Sequence, residues 1–119
     1  MHAFFRSFRY AFAGIVHVVR TQRNARVHLA AALIVIAAGV LFQVTAIEWA
    51  VLALAIGLVF GAEMVNTVAE LAVDLLTERQ HPLAKIAKDV SAGAVLVTAL
   101  AAVGVGMAIF GPRLWRLLF

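Results

Sequence analysis

The chain has 119 residues, 65% of them hydrophobic and 13% charged, with a mean hydropathy of +1.02 and a formal charge of +4. Those figures exclude an ordinary water-soluble domain, whose apolar share is about half and whose charged share is about a quarter. Cysteine is absent, which excludes a disulfide framework, a thiolate metal site and a cysteine nucleophile.

The first element expected is a surface helix over residues 3–22. In FFRSFRYAFAGIVHVVR, Phe4 to Arg20, a helical period gathers Phe4, Phe8, Phe12, Ile15 and Val19 into a sector about 80° wide, with Arg6, Arg9, His17 and Arg20 opposite. Such a helix lies in the headgroup layer or packs on a partner, and the span that follows within a few residues favours the first. A cleavable signal peptide is not expected, because about 26 residues precede an apolar run longer than a signal core.

Three spans follow, predicted at 27–46, 49–76 and 83–110, in one domain covering 1–119. Leu29 to Ile47 and Val90 to Pro112 carry no charged residue and are each long enough for a hydrocarbon core about 30 Å thick. The second span holds a Gly57-Gly61 pair and the third is crowded with small residues, both of which allow close helix approach in lipid. Pro82, after His81, suits the first turn of the third span, where a missing N–H is harmless. The fold class is therefore all-α membrane protein, three spans preceded by an amphipathic surface helix.

Basic residues set the orientation. Arg6, Arg9, Arg20, Arg23 and Arg26 precede the first span, and Arg79, Lys85 and Lys88 lie between the second and third, whereas Gln43 to Glu48 has none. The positive-inside rule places the N-terminus and residues 77–89 in the cytoplasm, with Arg113 and Arg116 the outer minority. Read this way the net charge describes topology, and no nucleic-acid partner is expected.

The second span contains a costly feature. Glu63, Glu70 and Asp74 project within about 40° of one another on a helix, flanked by Asn66 and Thr67. Measured from Trp49 at the outer face, Glu63 lies about 21 Å in, Glu70 about 31 Å and Asp74 about 37 Å. A carboxylate at membrane depth costs about 2.5–3.5 kcal/mol, and stacked like charges repel. Each residue alone has an ordinary explanation: interhelical hydrogen bonding for Asn66 and Thr67, a solvated helix end for Asp74. Together they call for cations, either basic side chains or a metal such as Mg²⁺, which bridges carboxylates to phosphates. Lys88 and Asp89 open the third span at similar depth; Lys88 suits a phosphate, or equally a salt bridge to Glu70 or Asp74.

The string ExxNTxxExxxD from Glu63 to Asp74, then HPLAKIAKDVSAGAVL from His81 to Leu96, resembles the small prokaryotic integral-membrane diacylglycerol and undecaprenol kinases. RSFRYAFAGI and the NARVH of Asn24 to His28 extend the likeness over nearly the whole chain. The resemblance implies a domain-swapped homotrimer with active sites shared between protomers, transferring the γ-phosphoryl of MgATP to a lipid hydroxyl without a P-loop. It implies Glu63 as general base, supported by Asn66, and Glu70 as metal ligand. Lys88, Asp89 and Asp74 would meet the nucleotide, with Tyr10 and the turn Arg79, Gln80, His81 nearby. Where the family carries a glutamate metal ligand, this chain has Gln22, whose amide oxygen can ligate but brings no charge; a family arginine falls on Ala3.

NxxxH and HPLAKIAKD are closer to the undecaprenol type than to the diacylglycerol type, so undecaprenol is the favoured acceptor and diacylglycerol the second. A rival from another class is a non-catalytic cation-binding or scaffold bundle, a relative weakened by Gln22. A secondary transporter fits poorly, since three spans leave no room for an inverted repeat.

Overall fold

The computed structural model describes residues 1–119, with four helices and no strand: α1 (His2–Thr21), α2 (Arg23–Leu41), α3 (Ala46–Leu76) and α4 (Pro82–Leu118). The last three are long and apolar enough to cross a membrane. The chain is a multi-pass membrane protein of the expected class. At about 1.5 Å per residue α4 is about 55 Å long, nearly twice a hydrocarbon core, so its ends reach beyond the apolar layer.

Each boundary has a local cause. Neither glycine nor proline separates α1 from α2; the break falls at Gln22, whose backbone is extended (φ −106°, ψ 115°). Arg26, one turn into α2, donates from Nη1 to the carbonyls of Val19 at 3.2 Å and Arg20 at 2.9 Å. It thereby satisfies two of the orphan acceptors at the end of α1 and places positive charge at the negative pole of that helix.

At the end of α2 the N–H of Gln43 bonds to the carbonyl of Val40 and that of Val44 to Gly39, with Gln43 left-handed at φ 52°. This is a Schellman stop with a non-glycine in its turning position. Thr45 then caps α3: its hydroxyl accepts from the N–H of Glu48, and the Glu48 carboxylate accepts from the N–H of Thr45. His81 caps α4 by accepting from the N–H of Leu83 at Nδ1, with Pro82 in the first turn as expected. α4 continues through Pro112 to Leu118, past the expected end of the third span at 110.

Packing is uneven along the bundle. α3 and α4 form the main pair, α2 lies on α3, and α1 lies on α2 with a lighter touch on α3. The apolar cluster sits at the α2–α3 turn: Val44, Leu52, Ile109 and Phe110, with Phe42 and Trp49 against it. Arg113 closes that end, its two terminal nitrogens each donating to Glu48 at 2.7 Å, while Nη1 also meets the carbonyl of Ile109. Elsewhere Leu54, Leu58, Val65, Val97 and Leu100 face outward, as lipid-facing positions do.

Gly39 is the glycine this packing requires. A β-carbon there would lie 2.5 Å from the Trp49 ring, whereas one at Gly57 or Gly61 would meet nothing within 4 Å. The GxxxG pair therefore plays no part in packing within the chain. Gly39→Ala is expected to destabilise by about 1–3 kcal/mol through overpacking, and Gly57→Ala by less, in thermal unfolding of detergent-solubilised protein; equal effects would show that the Trp49 contact is not tight.

Candidate active site

The acidic stripe of α3 opens into two cavities rather than one. The deeper, about 280 Å³, lies between α2, α3 and α4, with Asn24, His28, Glu63 and Asn66 as its polar wall and Val95, Leu96 and Ala99 among its apolar one. Glu63 is 1% exposed, the most enclosed large side chain in the protein. Its Oε2 has no hydrogen-bond partner; His28 Nε2 lies 4.0 Å away, beyond bonding range. An unpartnered carboxylate oxygen in a membrane span is expensive, and nothing in the packing offsets it.

The residues around Glu63 are held firmly. Thr67 is buried and donates its hydroxyl back to the Glu63 carbonyl at 2.9 Å. Ser91, from α4, donates to Asn66 Oδ1 at 2.6 Å and lies 3.0 Å from the Lys88 carbonyl. That bond joins the two main helices at the level of the stripe and fixes the Asn66 amide at the cavity wall. The sequence reading passed over Ser91, counting it only among small residues, and His28, quoted only within a motif.

The second cavity, about 690 Å³, lies between the end of α3 and the start of α4. Six residues expected near a nucleotide line it: Asp74, Arg79, Gln80, His81, Lys88 and Asp89. Tyr10 does not line it, because α1 packs on α2 and α3. The positive pole of α4 opens toward it, a setting that favours anions. Four of its six charged side chains are paired: Lys88 Nζ meets Asp74 Oδ1 at 2.6 Å, and Lys85 Nζ meets Asp89 Oδ2 at 2.5 Å, while Glu78 and Arg79 form no ion pair. Of the two partners weighed for Lys88, Asp74 is the one it takes. Both pairs are well exposed and so readily exchanged for a ligand's charges.

Between the cavities stands Glu70, half-buried on α3. Gln22 is half-buried at the α1–α2 break and makes no capping bond. No three His, Asp or Glu side chains converge into a metal cage. Glu70 and Gln22 each offer an oxygen of the kind Mg²⁺ takes, an ion that usually accepts one or two protein oxygens and fills its sphere with phosphate and water.

A family model of prokaryotic diacylglycerol kinase matches residues 9–110, the stretch that carries every one of these features. The chain belongs to the prokaryotic diacylglycerol kinase family. It is 46% identical over 114 residues to the undecaprenol kinase of Bacillus subtilis, covering 96% of this chain and 93% of that one. It is 49% identical over 113 residues to the diacylglycerol kinase of Synechocystis sp., covering 94% of this chain and 65% of the longer relative. Membership makes the chain a lipid kinase.

Proposed function

We propose that this lipid kinase transfers the γ-phosphoryl of MgATP to the hydroxyl of undecaprenol, with diacylglycerol the second choice of acceptor. The observation that carries the reading is the unpartnered, enclosed Glu63 carboxylate on the wall of a largely apolar cavity, on the same helix as a charged cavity large enough for a nucleotide. Undecaprenol is favoured by the relative matched over nearly its whole length and by an apolar wall suited to a prenyl alcohol.

In this reading Glu63 accepts the proton of the lipid hydroxyl as its oxygen bonds to the γ-phosphorus and the bond to the β-phosphate oxygen breaks, ADP leaving with the electron pair. Asn66, fixed by Ser91, supports the base. Lys88, Asp89, Asp74 and the turn Arg79, Gln80, His81 hold the nucleotide, and the Asp74–Lys88 pair opens to admit phosphate. Glu70 and Gln22 would hold Mg²⁺, which when bound neutralises phosphate charge. Phosphoryl transfer asks mainly for such positioning and neutralisation.

Residues 1–119 act as a single kinase domain, with the N-terminus, α1 and the nucleotide cavity on the cytoplasmic side, as the basic residues before α2 and in the α3–α4 turn indicate. The active unit is a homotrimer with shared sites. Tyr10, absent from its own chain's cavity, and the open Gly57-Gly61 face are consistent with that assembly.

Labelled ATP given with undecaprenol and diacylglycerol in parallel mixed micelles tests the acceptor. The expected result is faster phosphorylation of undecaprenol; a clear preference for diacylglycerol reverses the assignment. Gln22→Glu adds charge at the metal and is expected to lower the Mg²⁺ concentration for half-maximal rate. An unchanged Mg²⁺ dependence would remove Gln22 from the metal site.

A further inference from the structure

We propose that Ser91 is a positioning residue for phosphoryl transfer: its hydroxyl, donated to Asn66 Oδ1, turns the Asn66 amide so that the NH2 group faces the reacting space and donates to an oxygen of the transferred phosphoryl group. The inference rests on the lipid-kinase reading and adds to it the direction in which that amide points and the group it meets.

Three observations set the orientation. Ser91 Oγ lies 2.6 Å from Asn66 Oδ1, the length of an O–H···O bond and shorter than N–H···O bonds run, so the amide presents its oxygen to α4. The Lys88 carbonyl is the longer contact, at 3.0 Å, and the single hydroxyl proton goes to the nearer acceptor. The other half of the amide makes no hydrogen bond, yet the one sealed side-chain polar atom without a partner is Glu63 Oε2. Asn66 Nδ2 is therefore reached from open space, in the cavity that its side chain lines. Thr67, the neighbouring hydroxyl, is committed to the Glu63 carbonyl and leaves the amide to Ser91.

Place and chemistry agree. Asn66 follows Glu63 by three residues, about 4.5 Å toward the larger cavity, so a phosphoryl group arriving from that cavity meets the amide before it reaches the base. Its oxygens carry negative charge and call for donors already aimed at them before the reaction starts. A flipped amide would set Oδ1 against them, acceptor facing acceptor. The two faces of an amide have nearly the same shape, and only hydrogen bonding tells them apart. Ser91 supplies that bond from the opposite helix.

The test measures kcat and both KM values for Ser91→Ala, Ser91→Thr, Asn66→Ala and the Ser91→Ala, Asn66→Ala double variant, in full-length protein in mixed micelles. Ser91→Ala is expected to lower kcat about 3- to 10-fold, the loss of one neutral hydrogen bond, with KM for ATP and for lipid unchanged. Ser91→Thr, which keeps the hydroxyl, is expected to recover most of that loss. In the Asn66→Ala background Ser91→Ala is expected to change kcat no further, because the group it orients is gone; a role exercised through the Lys88 carbonyl would lower it again. The proposal is overturned if Ser91→Ala keeps wild-type kcat, if Thr is as impaired as Ala, if KM for ATP rises by the same factor, or if the two single losses multiply in the double variant. Wild-type protein that phosphorylates no lipid would remove the underlying reading as well, whereas those four results leave it standing.

Discussion

Glu63→Gln is expected to lower lipid phosphorylation by about 10²–10⁴-fold, the range a positioned general base supplies, while leaving the protein at least as stable as wild type. The two halves of this expectation share one cause. Glu63 is enclosed, inside a membrane span, with one oxygen that bonds to nothing. Such a carboxylate opposes folding, and an amide of the same shape opposes it less. A residue retained for stability would behave in the opposite way. Rate of lipid labelling and thermal midpoint in detergent, measured on the same preparation, separate the cases: loss of activity together with a large fall in midpoint would mark Glu63 as structural.

Lys88→Met is the second large effect. It is expected to raise KM for ATP and lower kcat/KM for the nucleotide by about 10- to 100-fold, as loss of a charge-assisted contact to phosphate should. The thermal midpoint should barely move, because the Lys88–Asp74 pair is exposed and such pairs contribute little. KM for the lipid should stay near wild type, since Lys88 lines the larger, charged cavity and not the deeper one. A rise in lipid KM matching that for ATP would mean the two cavities are not separate binding sites.

The apolar packing and the candidate site occupy opposite ends of this bundle. The end at the α2–α3 turn holds the apolar cluster, the Thr45–Glu48 capping box, the Gly39–Trp49 contact and the Arg113–Glu48 clasp. At the other end α3 and α4 are joined by Ser91–Asn66 and the exposed Lys88–Asp74 pair. Bonds that a ligand can replace are concentrated where a ligand must enter, and the regions that open for binding are drawn from the less stable part of a fold.

Much of this was legible in the sequence because the bilayer restricts the choices. Apolar runs of about 20 residues had to be helices, and the phenylalanines of α1 fell on one side at a helical period. The stripe of Glu63, Glu70 and Asp74 could be read because all three lie on one helix, where spacing alone sets direction. Residues on different helices were harder. Asn66 and Ser91 stand 25 positions apart, and only the register of α3 against α4 brings them together. Ser91 still left a signal, since it follows Lys88 by three and so shares its face. His28 left only its place in the NxxxH string, because no periodicity states how α2 is rotated against α3. The Lys88 partner depended in the same way on register, and the Gly57-Gly61 pair suggested a contact that the chain does not make with itself.

The most direct measurement uses purified protein in mixed micelles with undecaprenol and Mg²⁺, and ATP carrying its label on either the γ- or the α-phosphorus. The expected result is label in the lipid from γ-labelled ATP and none from α-labelled ATP, with Glu63→Gln giving neither. Wild-type protein that leaves undecaprenol and diacylglycerol alike unlabelled would contradict the assignment of the α3 carboxylates to phosphoryl transfer.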